Sequence, residues 1–223
     1  MNETQNKFIE KDLAPNNKLV DMEIVFLEGE SYYKISNNDS MRPFFMSIVS
    51  DSNHWLFISS NGGLTAGRKN AESALFPYYT DDKITESADI TGSKSIFQVK
   101  TEDGFLLWEP FSIRNGGKHK TQRNLYKSPF GNSIIFEEIN HDLHLTFQYQ
   151  WNTSHLYGFV KKSRLINHHS KTVDVSLVDG IQNIVPCGVG SSVQNSLSNL
   201  VDAYKRSELD KGSGLGIFAL SVI

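Results

Sequence analysis

Between Leu143 and Trp151 every second residue is apolar: Leu143, Leu145, Phe147, Tyr149 and Trp151 alternate with His144, Thr146, Gln148 and Gln150. Successive side chains of a strand point to opposite faces, so this alternation predicts a strand with one buried face. Its polar face is either solvated or the lining of a groove. Shorter extended runs cover residues 22–28 and 31–36 on either side of Gly29, 44–49 and 54–59 around Asp51-Ser52-Asn53, and 95–100 and 105–108 around Glu102-Asp103-Gly104. Apolar runs joined by short polar turns are hairpin signals. Further extended runs cover residues 133–139, 156–167, 173–178 and 216–223, and Asp179-Gly180 reads as a turn. One segment has helical spacing: Val193, Leu197, Leu200, Val201 and Tyr204, with Ser191 and Gln194 as a capping box and Gly212 as the stop. Roughly ten strands with one late α-helix predict a mostly β fold, a large antiparallel β-sandwich. Residues 1–18 are expected to form a flexible N-terminal arm, and residues 19–223 one sandwich domain. The chain closes inside an apolar run, as expected of an N-terminal fragment of a longer protein.

One stretch departs from this pattern. Residues 59–83, SNGGLTAGRKNAESALFPYYTDDK with its leading serine, hold Gly62, Gly63 and Gly67 within six positions, followed by Phe76, Pro77, Tyr78 and Tyr79 among charged residues. Glycine permits positive φ or close approach of the backbone to another group. Long polar loops carrying aromatics are common binding elements. The segment is therefore expected to be a loop held out from the sheets. A second loop, residues 109–122, carries Gly116 and Gly117 with Arg114, Lys118, His119 and Lys120.

Composition narrows the function. The 223 residues carry a net charge of −3, which disfavours nucleic acid as the main partner. The single cysteine, Cys187, excludes an internal disulfide and a cysteine-built zinc site. No apolar run reaches the roughly 20 residues needed to cross a bilayer, and no secretory leader is visible, so a cytoplasmic location without membrane contact is expected. His141, His144, His155, His168 and His169 show no metal-ligand spacing, so neither a metal nor a cofactor is expected. Asp81 and Asp82 are adjacent, as are Glu137 and Glu138. On an extended chain each pair points opposite ways and cannot flank one bond as glycoside chemistry requires. No catalytic residue is assigned. Sugars stack on flat rings and bond planar polar groups. Arg68, Tyr78, Tyr79, Asp81 and Lys83 supply both kinds of group in the first loop, and Trp108, Glu109 and Arg114 form a second cluster.

Two blocks carry a family likeness. Residues 59–84, and residues 165–189 with Asn167, Lys171, Thr172, Val173, Val175, Asp179, Gly180, Gln182, Asn183 and Pro186, resemble the N-terminal β-sandwich of large glycoside-processing proteins related to the cellobiose phosphorylase group. That sandwich belongs to the galactose-mutarotase-like superfold. The resemblance implies a parent protein that is a glycoside hydrolase, or a glycosyltransferase of the phosphorylase type. It implies oligosaccharide or polysaccharide as ligand and a downstream (α/α) helical domain as partner. That domain would hold the catalytic carboxylate, so this chain by itself would be silent, lending loops to carbohydrate binding. Two alternatives stand beside it: an aldose epimerase or mutarotase, which needs a histidine pair and a glutamate in the sandwich groove, and a structural or interaction sandwich with no sugar site.

Overall fold

The computed structural model describes residues 18–78, 80–102 and 104–221. Fourteen strands lie among them, all paired antiparallel. The first six are β1 (Asp21–Leu27), β2 (Glu30–Ser36), β3 (Phe45–Ile48), β4 (His54–Ser59), β5 (Leu64–Arg68) and β6 (Gly92–Thr101). Then come β7 (Gly104–Trp108), β8 (Thr121–Lys127), β9 (Ile134–Asn140), β10 (Leu145–Ser154), β11 (Gly158–Asn167) and β12 (Val175–Gln182). A late hairpin of β13 (Lys205–Asp210) and β14 (Leu215–Leu220) closes the described chain. Helix α1 (Asp81–Glu86) precedes β6, and α2 (Ser191–Tyr204) precedes β13. The sheets run β1-β2-β8-β9-β10-β11, β12-β6-β7, β3-β4-β5 and β13-β14.

The fold is the mostly β, antiparallel sandwich that the alternation predicts. Leu145, Phe147, Tyr149 and Trp151 of β10 turn inward with Ile134 and Phe136 of β9 and Leu125 of β8. They meet Met46, Ile48, Leu56, Ile58, Leu64 and Ala66 of β3-β4-β5, and Phe97, Val99 and Trp108 of β6-β7. Rings dominate the contact: Phe97 lies 5.0 Å from Phe147 and 5.2 Å from Trp108, and Phe136 stacks on Tyr149 at 4.8 Å. Such pairs add stabilisation beyond the area they bury.

Residues 59–83 are corrected by the structure. Their first half is strand β5, in which Leu64, Thr65 and Ala66 are fully buried, and Phe76 beyond it is buried against Trp151. Glycine disguises the strand because the backbone here packs too closely for a side chain. A Cβ at Gly63 would sit 2.0 Å from the Ile84 carbonyl oxygen, and one at Gly67 would sit 2.5 Å from the Trp55 ring and 2.6 Å from the Ser73 carbonyl oxygen. Close approach, one of glycine's two uses, explains the cluster.

Other boundaries shift for identifiable reasons. Asp179 and Gly180 lie inside β12 opposite Ser95 and Lys94, where Asp179 accepts from Ser95 Oγ and from Lys161 Nζ at 2.6 Å. Helix α2 is capped by Gly190, with Ser191 its first residue, so the capping box does not form. A distant carboxylate replaces it: Glu72 Oε2 accepts from the Ser191 N–H at 2.9 Å, and Oε1 accepts from the Ser191 hydroxyl. The helix is irregular at Leu197 and ends at Tyr204 because β13 follows at once; Gly212 belongs to the hairpin turn. Of the expected arm, residues 1–17 lie outside the described residues, while Lys18 donates to the Thr121 carbonyl.

Candidate functional site

The six-stranded sheet has a second face, turned away from the core. On β10 it carries Thr146, Gln148, Gln150 and Asn152, the polar half of the alternation. Register places Glu137 of β9 and Arg164 of β11 on either side of Gln148, and Ile135 and Lys162 on either side of Gln150. Asn124 and Tyr126 of β8 and Tyr32 of β2 continue the face toward β1.

These groups are organised around one buried carboxylate. Glu137 is only 7% exposed. Its Oε1 accepts from Asn124 Nδ2 and from the Tyr126 hydroxyl, both at 2.7 Å, and its Oε2 accepts from Gln148 Nε2. Burial, reinforced by the Glu137 charge, pushes the Tyr126 phenol far above its ordinary value, which fixes it as a donor. Gln150 Nε2 donates to Ser133 Oγ at 2.7 Å, and the Tyr32 hydroxyl lies 3.2 Å from Glu30 Oε2 and 3.4 Å from Ser133 Oγ. Burial likewise raises the Tyr32 phenol. Each glutamine amide nitrogen is thus tied to the sheet by at least one hydrogen bond. Among the described residues no hydrogen bond reaches the Oε1 atoms of Gln148 and Gln150, which stand as oriented acceptors.

Two cavities lie along this face. One of about 420 Å³ is lined by Tyr32, Ile135, Gln148, Gln150, Lys162 and Arg164, with Phe26 and Glu28 also on its wall. Glu28 pairs with Lys162 at 3.2 Å and with Arg164 at 3.5 Å, and with Glu30 also on the wall two carboxylates stand against two cations. The other, of about 330 Å³, is lined by Glu137, His141, His144, Thr146 and His168. His168 Nε2 lies 2.8 Å from Thr146 Oγ1. Among the described residues no group of three or more His, Cys, Asp or Glu side chains is arranged to hold a metal.

Among the described residues, those selected from sequence lie off this face, and only Glu109 and Arg114 of the second cluster are seen to meet, as an ion pair. Arg68, at the exposed end of β5, bonds Asn53 Oδ1 through Nε and Nη2 at 3.3 and 3.2 Å. Tyr78 is half exposed, its ring edge against Trp55, and lines a cavity of about 250 Å³ with α2. Lys83 is exposed on α1. Tyr79 lies outside the described residues, and Asp81 is placed as the first residue of α1 without a description of its side chain. Trp108 is a core residue: it is 1% exposed and donates its indole N–H to Glu138 Oε1 at 2.8 Å. Glu109 pairs with Lys94, and Arg114 lies 3.7 Å from Glu109 and 3.9 Å from Asp89. Burial raises the Glu109 carboxyl, but Lys94, Arg114 and Asn115 outweigh it and hold it below the ordinary range. Residues Tyr32, Asn124, Tyr126 and Glu137 escape sequence reasoning because their convergence depends on strand register. The polar half of β10 is the one signal that marks the face.

No protein-family model matches the chain, and no curated protein matches it. Among the described residues no helix is long and apolar enough to cross a membrane.

Proposed function

We propose that this chain is the carbohydrate-binding β-sandwich of a carbohydrate-active enzyme, and that it binds an oligosaccharide on the outer face of the six-stranded sheet. One observation carries the reading: Gln148 and Gln150, fixed by Glu137 and Ser133, present aligned acceptors beside the Lys162 and Arg164 donors along a half-buried trough. Planar amides and a tyrosine, with charges that cancel, suit neutral hydroxyl-rich ligands. From Thr146 to Asn152 the row runs about 20 Å at strand rise, room for several linked rings. The sequence likeness of residues 59–84 and 165–189 supports the same assignment to glycoside hydrolase or phosphorylase-type proteins. Catalysis is then the work of a downstream helical domain. Phe105, Leu107, Ile96 and Val178, exposed together on the outer face of β12-β6-β7, offer that domain an apolar seat. Isothermal calorimetry with a panel of neutral oligosaccharides tests the binding. Saturable heat that falls about tenfold in affinity in the Gln148→Ala, Gln150→Ala double variant is expected, at one hydrogen bond lost per site. Silence across the panel removes the proposal.

A second reading, an aldose mutarotase, draws on the cavity that brings His141, His144 and His168 beside Glu137. Glu137 weighs against it, since three donors already occupy its oxygens, and Glu109 is held in an ion pair away from that cavity. Polarimetry of freshly dissolved aldoses decides: the mutarotase reading requires acceleration that His144→Ala abolishes.

A further inference from the structure

On the core-facing side of the six-stranded sheet, cross-strand register sets side chains in rows. Met22, Ile35, Leu125 and Phe136 form one row, and Ile24, Tyr33, Lys127, Ile134 and Trp151 form the next. Directly opposed residues share a face. Leu125, Phe136, Ile134 and Trp151 belong to the core, so both rows begin in the interior. They run out into solvent at β1 and β2, where Met22, Ile24 and Tyr33 are exposed. Phe44, Phe45 and Met46, at the start of β3, form the facing wall of a cavity of about 500 Å³.

One member of these rows is a cation. Lys127 stands where its row otherwise carries apolar or aromatic side chains, and it lines the cavity. It is half-buried, and its Nζ reaches across to the Ser47 carbonyl of β3 at 3.2 Å. An ammonium has three N–H donors, so two remain for another acceptor. Among the described residues no carboxylate offsets the charge: burial alone acts on the amine and lowers its pKa. Glu23 and Lys34, also on the cavity wall, pair with each other at 2.7 Å, and strand alternation turns them to the other side of the sheet. A charge in apolar surroundings without a counter-charge is costly. An apolar cavity with one or a few placed polar groups is the usual form of a small-molecule site.

We propose that this cavity binds a medium-chain fatty acid, with its carboxylate on Lys127 and its tail along Met22, Ile24, Ile35 and Met46. Charge selects the head group. A neutral chain leaves the ammonium unpaired, and a phosphate monoester brings a second negative charge for which the groove side has no cation. The volume falls within the roughly 300–1,000 Å³ of small-molecule sites. The site lies on the opposite side of the sheet from the Gln148–Gln150 trough and does not depend on it.

The test is titration calorimetry of the full chain with octanoate, and with 1-octanol as its neutral match, alongside NMR of the chain labelled at its methionine methyls. Octanoate is expected to bind saturably, shifting the Met22 and Met46 signals and leaving Met41, outside this cavity, in place. Lys127→Met keeps the apolar stem and removes the charge. It should weaken octanoate about tenfold or more, at the loss of a charge-assisted hydrogen bond, and leave octanol unchanged. Ile24→Asp, at an exposed position, puts a carboxylate on the wall and should abolish octanoate binding. The Gln148→Ala, Gln150→Ala variant should bind octanoate as the parent does. The proposal is overturned if octanoate does not bind saturably, or if octanol binds as tightly. Unchanged octanoate binding in Lys127→Met also overturns it, since Lys127 then serves only to hold Ser47. So does a free chain in which the Met22 and Met46 methyls contact another part of the chain, or a second copy, that octanoate does not displace.

Discussion

Glu137 and Glu138 are neighbours in sequence with opposite surroundings. Glu138 faces the core, 2% exposed, and accepts from the Trp108 indole, the Phe111 backbone and Arg123 Nε. Glu137 faces the trough and accepts from Asn124, Tyr126 and Gln148. Removing the first leaves a largely buried guanidinium without its carboxylate. Glu138→Ala is therefore expected to cost about 3–5 kcal/mol, read as a fall in the urea midpoint at unchanged slope. Removing the second acts on the ligand side. In Glu137→Gln an amide N–H meets at least one of three donors, which costs about 1–3 kcal/mol and releases the Gln148 amide. Oligosaccharide affinity should fall with it. The strand period makes the opposite orientation of these two glutamates legible in the sequence. It does not show that each gathers three donors, because those come from other strands and, for Phe111, from the loop between β7 and β8.

At the level of elements, β5 shows how composition can mislead. Leu-Thr-Ala-Gly-Arg has no alternation and sits among glycines, so it reads as loop. Its pairing with β4, Ala66 opposite Leu56 and Gly67 opposite Trp55, is a tertiary fact. Gly67→Ala should cost about 1–3 kcal/mol through overpacking against Trp55, measurable by thermal or urea unfolding. Were the segment a projecting loop, the substitution would be neutral. A second element-level link joins β11 to β12. Burial raises the Asp179 carboxyl, but Lys161, Ser95 and Ser163 overcome it and hold it below its ordinary value. Its folded value is therefore lower than its unfolded one. The stability it contributes is complete above the ordinary carboxylate value, about 3.9, and is lost as pH falls through the lowered folded value. Glu109, held low by Lys94, acts in the same direction. Unfolding midpoints followed downward in pH should drop through this window, and Lys161→Met should flatten part of the drop.

For the whole molecule, the outward surfaces differ in kind. The six-stranded sheet turns a hydrogen-bonded polar face outward, while β12-β6-β7 turns out Phe105, Leu107, Ile96 and Val178. An apolar cluster of this sort favours association. The isolated chain is expected to self-associate in light scattering as concentration rises, and Phe105→Asp with Val178→Asp should return it to a monomer without altering oligosaccharide binding. If the double variant changes nothing, that face is not a docking surface.

The alternation of apolar and polar residues, read alone, determined that the chain is an antiparallel β protein, which half of β10 is buried, and that one helix comes late. Those properties depend on residues near one another in sequence, where side-chain direction follows the backbone repeat. Register, sheet order and the choice between glycine as hinge and glycine as close contact depend on residues far apart. Only the tertiary structure could turn Arg68, Trp108 and Glu109 into separate structural contacts and gather Tyr32, Asn124, Tyr126, Glu137 and Gln148 on one face. Hydrogen bonds across strands join partners whose sequence separation carries no local signature.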